Sequence, residues 1–428
     1  MRYVSRLAIV ILFTASLSAQ ENIKPQATPE QPDISALLQK IRDLEDRIIT
    51  MEGQMRQLKE QQAAAQPVPN PAPTPAGIAP VTSPSIATAG TAPQQPTALG
   101  GAGGSAAKAL NPDISAIGDF IGAAGHNPVQ PLPSLQMHES EVGLQAILDP
   151  YARGDFFISF GEEGVNLEEG YITFTALPAG FVVRAGKMRS AFGKVNTMHN
   201  HVLPWVDRPL VTDNLVGGED GIDDAGVSIQ RILPAPKGIF LEATGQLFRG
   251  DSADVFTASN KSDLSQVAHL RGYKDITEST NLDLGVSYAR GHNDLGSNFL
   301  THLYGIDATL RWKPLRRSIY HSFILRSEFI WSQRQQIPVE QRSFGFYTSA
   351  DYQLGRRWFL GGRYDRSDRS RSADTTDQGG SLVLTYWPSE FAQVRGQYRF
   401  TSYANNIDTH ELLLQVQFSL GAHGAHPF

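Results

Sequence analysis

From Pro112 to Leu420 the chain alternates apolar and polar residues with a period of two, in segment after segment of about ten residues. Successive side chains of a β-strand point to opposite faces, so each segment builds one apolar face and one polar face. In the last of them His410, Leu412, Leu414, Val416, Phe418 and Leu420 share one face, while Glu411, Gln415, Gln417 and Ser419 occupy the other. In "YGIDATLRW" Tyr304, Ile306, Ala308, Leu310 and Trp312 oppose Asp307, Thr309 and Arg311; in "FGFYTSADYQL" Phe344, Phe346, Ala350 and Tyr352 oppose Tyr347, Ser349, Asp351 and Gln353. About ten residues is the length a tilted strand needs to cross a bilayer. A soluble sandwich also alternates, so the pattern fixes strands without fixing what the apolar face meets.

The connections decide. Short breaks recur at "DPY" (149–151), "LPAG" (177–180), "LPAPKG" (233–238), "KDITEST" (274–280), "KPLRRS" (313–318), "LGRR" (354–357) and "WPSEF" (387–391). Eight other connections lie between them, several much longer, such as 193–221 and 250–264. Short turns at one end and long loops at the other are the pattern of an outer-membrane meander. The expected fold is therefore all-β, an antiparallel transmembrane β-barrel of about 16 strands whose even count puts both barrel ends on the periplasmic side. Trp312, Trp331, Trp358 and Trp387 fall near strand ends, where interfacial girdles lie.

Ahead of the barrel the sequence predicts a coiled-coil helix and a disordered linker. Residues 1–20 carry Arg2 and Arg6, the apolar run "LAIVILFTASL" and then small residues, the layout of a secretory signal peptide. In the segment 32–61, Ile34, Leu37, Ile41, Leu44, Ile48, Met51, Met55 and Leu58 recur at alternating spacings of three and four. That seam predicts a periplasmic coiled coil, with Lys40 and Arg47 placed to face Glu45 and Glu52 of a neighbouring copy. Residues 62–111 are rich in Pro, Ala and Gly and predict a linker; 112–420 are the barrel and 421–428 a C-terminal tail. The expected partners are outer-membrane lipid and lipopolysaccharide, peptidoglycan, and further copies of the chain, as a dimer or trimer held through Ile34 to Leu58 and the barrel wall. With no cysteine there are no disulfides or thiolate sites, and a formal charge of -6 over 428 residues leaves no footprint for nucleic acid.

The stretch "AGKMRSAFGKVN" resembles the phosphate-selective porin group, whose strands carry G-[KQ]-F-[KR]-x-P-F-G before a long loop. Gly186, Lys187, Arg189, Phe192 and Gly193 match; Met188 and Ala191 stand where that group more often has Phe and Pro. Glu139 to Phe174 is similar to the early strands of such channels, and the porin-like region covers Ile114 to Leu420. The resemblance implies a porin-like barrel. Phosphate selectivity is not carried over, because no lysine-rich constriction stands out in this sequence.

After Gly193 the chain enters its longest loop, "MHNHVLPWVDRP" included, which by length and apolar content either folds inward to narrow the barrel or caps it against neighbouring loops. His199 and His201 form an H-x-H pair that Asp207 or Asp213 can complete, but without a placed third ligand the expectation is polar loop packing and no metal. The polar faces offer as pore-lining candidates Glu141, Arg153, Asp155, Glu169, Arg184, Asp224, Glu242, Asp283, Asp307, Arg326, Glu328, Arg363, Arg395 and Arg399. Thirteen basic against five acidic residues between Arg311 and Arg371 mark either an anion-attracting sector or a solvated, lipopolysaccharide-facing surface.

The pattern favours a passive channel for small hydrophilic solutes or ions, without cofactor or catalysis. An energy-coupled, substrate-specific receptor uses about twenty-two strands around a folded plug, which a coiled coil and linker do not supply. No Ser/His/Asp set stands apart from scattered loop residues, so an enzyme is not expected. A barrel anchor whose coiled coil spaces or tethers the envelope is compatible with the channel.

Overall fold

The computed structural model describes residues 113–421, apart from 163 and 253; the segments expected as signal peptide, coiled coil and linker, and nearly all of the tail, lie outside the described residues. Sixteen strands follow one another: β1 (Asp113–Gly125), β2 (Leu135–Asp149), β3 (Ala152–Gly161), β4 (Gly164–Phe174), β5 (Phe181–Arg189), β6 (Asp223–Leu233), β7 (Ile239–Phe248) and β8 (Ser265–Thr277). The second half comprises β9 (Thr280–Asn293), β10 (Gly296–Trp312), β11 (Phe323–Arg334), β12 (Gln341–Gly355), β13 (Trp358–Arg369), β14 (Ser372–Ser389), β15 (Ala392–Tyr403) and β16 (Ile407–Gly421). Each pairs antiparallel with its sequence neighbours, and β1 closes on β16 with Ser115 opposite Gly421 and Phe120 opposite Val416. Closure leaves no free edge, so every strand has a partner for its backbone groups on both sides.

The alternation read from the sequence maps onto the two faces of the wall. On β16 Leu412, Leu414, Phe418 and Leu420 are exposed on the outside, while Thr409, Glu411, Gln415, Gln417 and Ser419 are buried on the inside. On β10 Tyr304 and Ile306 face out, and Asp307 and Thr309 face in. Outward aromatics gather near both ends of the strands: Trp331 beside Phe344, and Trp358 beside Tyr386 with ring centroids 4.5 Å apart.

All seven predicted short breaks fall at the end that carries β1's start and β16's finish. The opposite end departs from the expected run of long loops. Connections 126–134, 190–222, 249–264 and 335–340 are open, but 162–163, 294–295, 370–371 and 404–406 are tight. The reason is strand length. β10 runs for 17 residues and β14 for 18, because polar residues beyond the apolar band keep pairing and leave little chain for a loop.

The connection 190–222 turns into the barrel. Phe192, Val195, Leu203, Trp205, Val211, Leu215, Val216 and Ile222 from this loop bury against inward-facing Val267, Ala289, Leu303, Ile330, Tyr347 and Val383 of the wall. Those wall residues interrupt an otherwise polar inner face. Val267 pairs with Ala289 and Ala289 with Leu303, so the apolar seat runs sideways across β8, β9 and β10. A short helix, α1 (Leu210–Leu215), buries Leu210, Val211, Thr212 and Leu215 and lies mainly over β12 and β13. Each fully buried apolar side chain of this kind contributes on the order of 1.5–3 kcal/mol to docking the loop.

Candidate functional site

Two glycines of the motif set the loop's departure. Gly186 has φ of 143°, and a Cβ there would lie 2.6 Å from the Cα of Tyr171 on the neighbouring β4. Gly193 has φ of 61°, and its open side faces the carboxylate of Glu328 on β11. Both positions need a residue without a Cβ. Past Gly193 the amides of Lys194 and Val195 donate to the two oxygens of Glu328, each at 3.3 Å, which anchors the start of the loop to the wall facing it.

The far part of the loop is held by the arginines of the late strands. Arg363 donates to Asp207 Oδ2 at 2.9 Å and to the Asp207 carbonyl at 3.0 Å, pairs with Asp365 at 2.7 Å, and lies over the Trp205 ring. Arg399 donates to the same Asp207 oxygen at 2.9 Å and to Glu411 at 2.5 Å. Arg395 reaches the Trp205 carbonyl and Gln415, and Gln397 donates to Asp207 Oδ1. Burial alone raises the pKa of the Asp207 carboxyl, but the Arg363 and Arg399 guanidiniums hold it well below the usual carboxylate range.

On the opposite wall the loop meets a group of acids. A β-bulge between β3 and β4 inserts Glu168, so that both Glu168 and Glu169 reach the histidine carried by the loop. His199 Nδ1 lies 2.8 Å from Glu168 Oε2 and 2.8 Å from Glu141 Oε2, and its Nε2 lies 3.1 Å from Glu169 Oε2. His201 Nδ1 lies 3.6 Å from the same Glu141 oxygen. Arg189 donates to Glu168 at 3.3 Å, and Asn200 to Glu139 at 3.2 Å. Burial opposes a charge on the His199 ring, but the Glu141, Glu168 and Glu169 carboxylates push its pKa up to about 11.

Two polar cavities border this group. One of about 440 Å³ is lined by Gln136, His138, Glu139, Glu168, Asn200 and Glu219; another of about 310 Å³ is lined by Glu169, Arg184, Lys194, Glu242, Asp283 and Asp307. Arg189 borders both, and the bulged pair divides between them, Glu168 on the larger and Glu169 on the smaller.

The fourteen residues singled out from the sequence thus separate by role. Glu141 and Glu169 join the acid–histidine group. Glu328, Arg363, Arg395 and Arg399 clamp the loop. Asp224 accepts from the amides of Gly250 and Asp251, tying down the connection after β7. Four more are locked in three pairs: Arg153 with Asp155, Asp283 with Arg271, and Arg326 with Asp351. Arg184, Glu242 and Asp307 line the smaller cavity. Asp207 and Asp213, the acids offered as partners for the histidines, lie elsewhere; Asp207 is held by arginines, and Asp213 accepts from Gln130 at 3.4 Å. Glu141 stands in their place. Sequence reasoning missed Glu139, Glu168 and Arg189. The adjacent acids Glu168 and Glu169 interrupt the alternation, which is the signal of a bulge.

No family model matches this chain. A protein of Aquifex aeolicus (strain VF5), described as uncharacterized, is 26% identical over 387 residues, covering 75% of this chain and 81% of that protein. Among solved structures, the anion-selective porin from Comamonas acidovorans has a TM-score of 0.53 at 11% identity, covering 72% of this chain and 99% of that one. A loop L8 deletion mutant of OmpT, an outer membrane protein of Vibrio cholerae, has a TM-score of 0.52 at 10% identity with the same coverage. The outer membrane channel DcaP of Acinetobacter baumannii has a TM-score of 0.50 at 11% identity over 72% of this chain and 96% of that one. What this chain shares with them is the fold, a closed 16-strand barrel of the outer-membrane type.

Proposed function

We propose that the chain is an outer-membrane, porin-like channel for passive diffusion of small hydrophilic solutes or ions, with its termini in the periplasm and its long inward loop narrowing the lumen. The observation that carries this reading is the closed barrel with an apolar outside and a polar inside. Lipid accepts the first face and water the second. An anion preference founded on Arg326, Arg363, Arg395 and Arg399 loses support, because each of these is engaged by Asp351, Asp207, Gln415 or Glu411. The smaller cavity balances Glu169, Glu242, Asp283 and Asp307 with Arg184, Arg189, Lys194 and Arg271, but the larger carries Glu139, Glu162, Glu219 and Asp220 beside Arg189 and His138, so a modest cation preference is the better reading.

Self-association and an envelope tether through the coiled-coil seam are compatible additions. Swelling of proteoliposomes in isotonic sugar separates the readings. A channel admits small sugars at rates that fall with solute size. Folded barrels that leave the vesicles osmotically tight support the anchor reading instead.

A further inference from the structure

We propose that Glu141, His199 and His201 form a binding site for a divalent transition-metal ion inside the barrel. The three side chains can each present one ligand atom within 4.8 Å of the others. Metal bonds of about 2.0 Å to imidazole nitrogen and carboxylate oxygen in a tetrahedron put neighbouring ligand atoms about 3.3 Å apart. Glu141 Oε2 lies 2.8 Å from His199 Nδ1 and 3.6 Å from His201 Nδ1, which brackets that spacing. Glu168 Oε2, 2.8 Å from His199 Nδ1, adds a further carboxylate beside these three.

A second observation points to a cation. Glu141 is 3% exposed, and its Oε2 is sealed from solvent without a well-formed hydrogen bond, although an imidazole nitrogen lies beside it. A buried carboxylate oxygen in that condition is costly unless something positive occupies the space it faces. The neighbourhood is also overloaded with acid. Glu139, Glu141 and Glu168 come within ligand distance of one another, Glu169 joins them through His199, and Arg189 is paired with Glu168. A divalent ion replaces the single charge of an imidazolium with two and needs the ring neutral, so it binds by displacing that proton.

His199 already has the outer partner that metal-binding histidines use. With Nδ1 on the ion, its Nε2–H donates to Glu169 Oε2 at 3.1 Å and fixes the ring. Two imidazoles with carboxylates suit zinc, nickel or copper and disfavour magnesium and calcium, which take oxygen ligands. The site stands on the geometry inside the barrel and does not depend on the channel conducting.

The test uses the purified full-length protein, stripped with chelator and equilibrated with zinc chloride in the presence of excess magnesium. Bound metal is read by elemental analysis and affinity by calorimetry. The parent should retain zinc at one ion per chain; His199→Ala with His201→Ala should retain none, and Glu169→Gln should weaken binding by about tenfold or more. Glu141→Gln keeps the shape of the side chain and loses the charge, so it decides the matter if the double variant does not fold; it too should lose zinc. A parent that retains no zinc overturns the site. So does zinc retained equally by Glu141→Gln, or by a folded double variant.

Discussion

Asp207 ties the inward loop to two buried guanidiniums at once, Arg363, which also pairs with Asp365, and Arg399, which also pairs with Glu411. Arg363 and Arg399 both donate to its Oδ2 at 2.9 Å. Removing one partner of a buried ion pair costs about 3–5 kcal/mol; here Asp365 and Glu411 keep the guanidiniums paired, so the loss falls on the loop's attachment. Asp207→Ala should therefore release the loop while leaving the strand wall closed, and trypsin should then cut at Arg208, which is buried in the parent. Continued protection of Arg208 in a folded variant would show that apolar packing alone holds the loop. Asp213, on the same loop, behaves in the opposite way: burial and the nearby charge of Asp207 raise its pKa to about 7, against the weaker pull of Gln130, Arg208 and Arg363. Between about pH 4 and pH 7 the folded chain keeps a proton on Asp213 that the unfolded chain releases, so this residue's contribution to stability falls as pH rises through that window. Relative to Asp213→Asn, the parent should lose melting temperature from pH 4.5 to pH 8; parallel profiles for the two proteins would contradict the assignment.

At the scale of elements, the junction between β5 and the inward loop is the sensitive point. Gly193→Ala forces a side chain into a left-handed backbone position and against the Glu328 carboxylate that anchors the loop. The backbone term alone is on the order of 1–3 kcal/mol, and the displaced anchor adds to it. The variant should show a lower melting temperature and faster proteolysis within 190–222, whereas Gly355→Ala, where nothing crowds the added carbon, should not. The alternation of β10, β12 and β16 was legible because it depends only on which way each residue points. The loop's direction was not. Its seat consists of Val267, Ala289, Leu303, Ile330, Tyr347 and Val383, each on a different strand, and they become a surface only when the register between strands is known. Sequence spacing also offered the histidines the nearest acids, Asp207 and Asp213, while Glu141 reaches His199 from β2, across the barrel interior. Glu168 faces the site only because a bulge breaks the period that made the strands readable.

For the whole molecule, closure and passage are the central claims. A barrel in which β1 pairs with β16 has no edge from which unfolding can begin, so the protein should migrate faster on a denaturing gel before boiling than after it. On the proposed reading of 32–61 as a coiled coil and 62–111 as a linker, deleting Ile34 to Leu58 should preserve that shift and alter only crosslinked assembly in membranes. Loss of the shift on deletion would mean that this segment is needed for the barrel itself. The polar inner face and the acids bordering the two cavities lead to one direct measurement: the current through single molecules of the purified protein in a planar bilayer under a potassium chloride gradient. A porin-like channel gives discrete steps whose conductance rises with salt and whose reversal potential leans towards potassium; heat-modifiable protein that inserts and leaves the bilayer silent would contradict it.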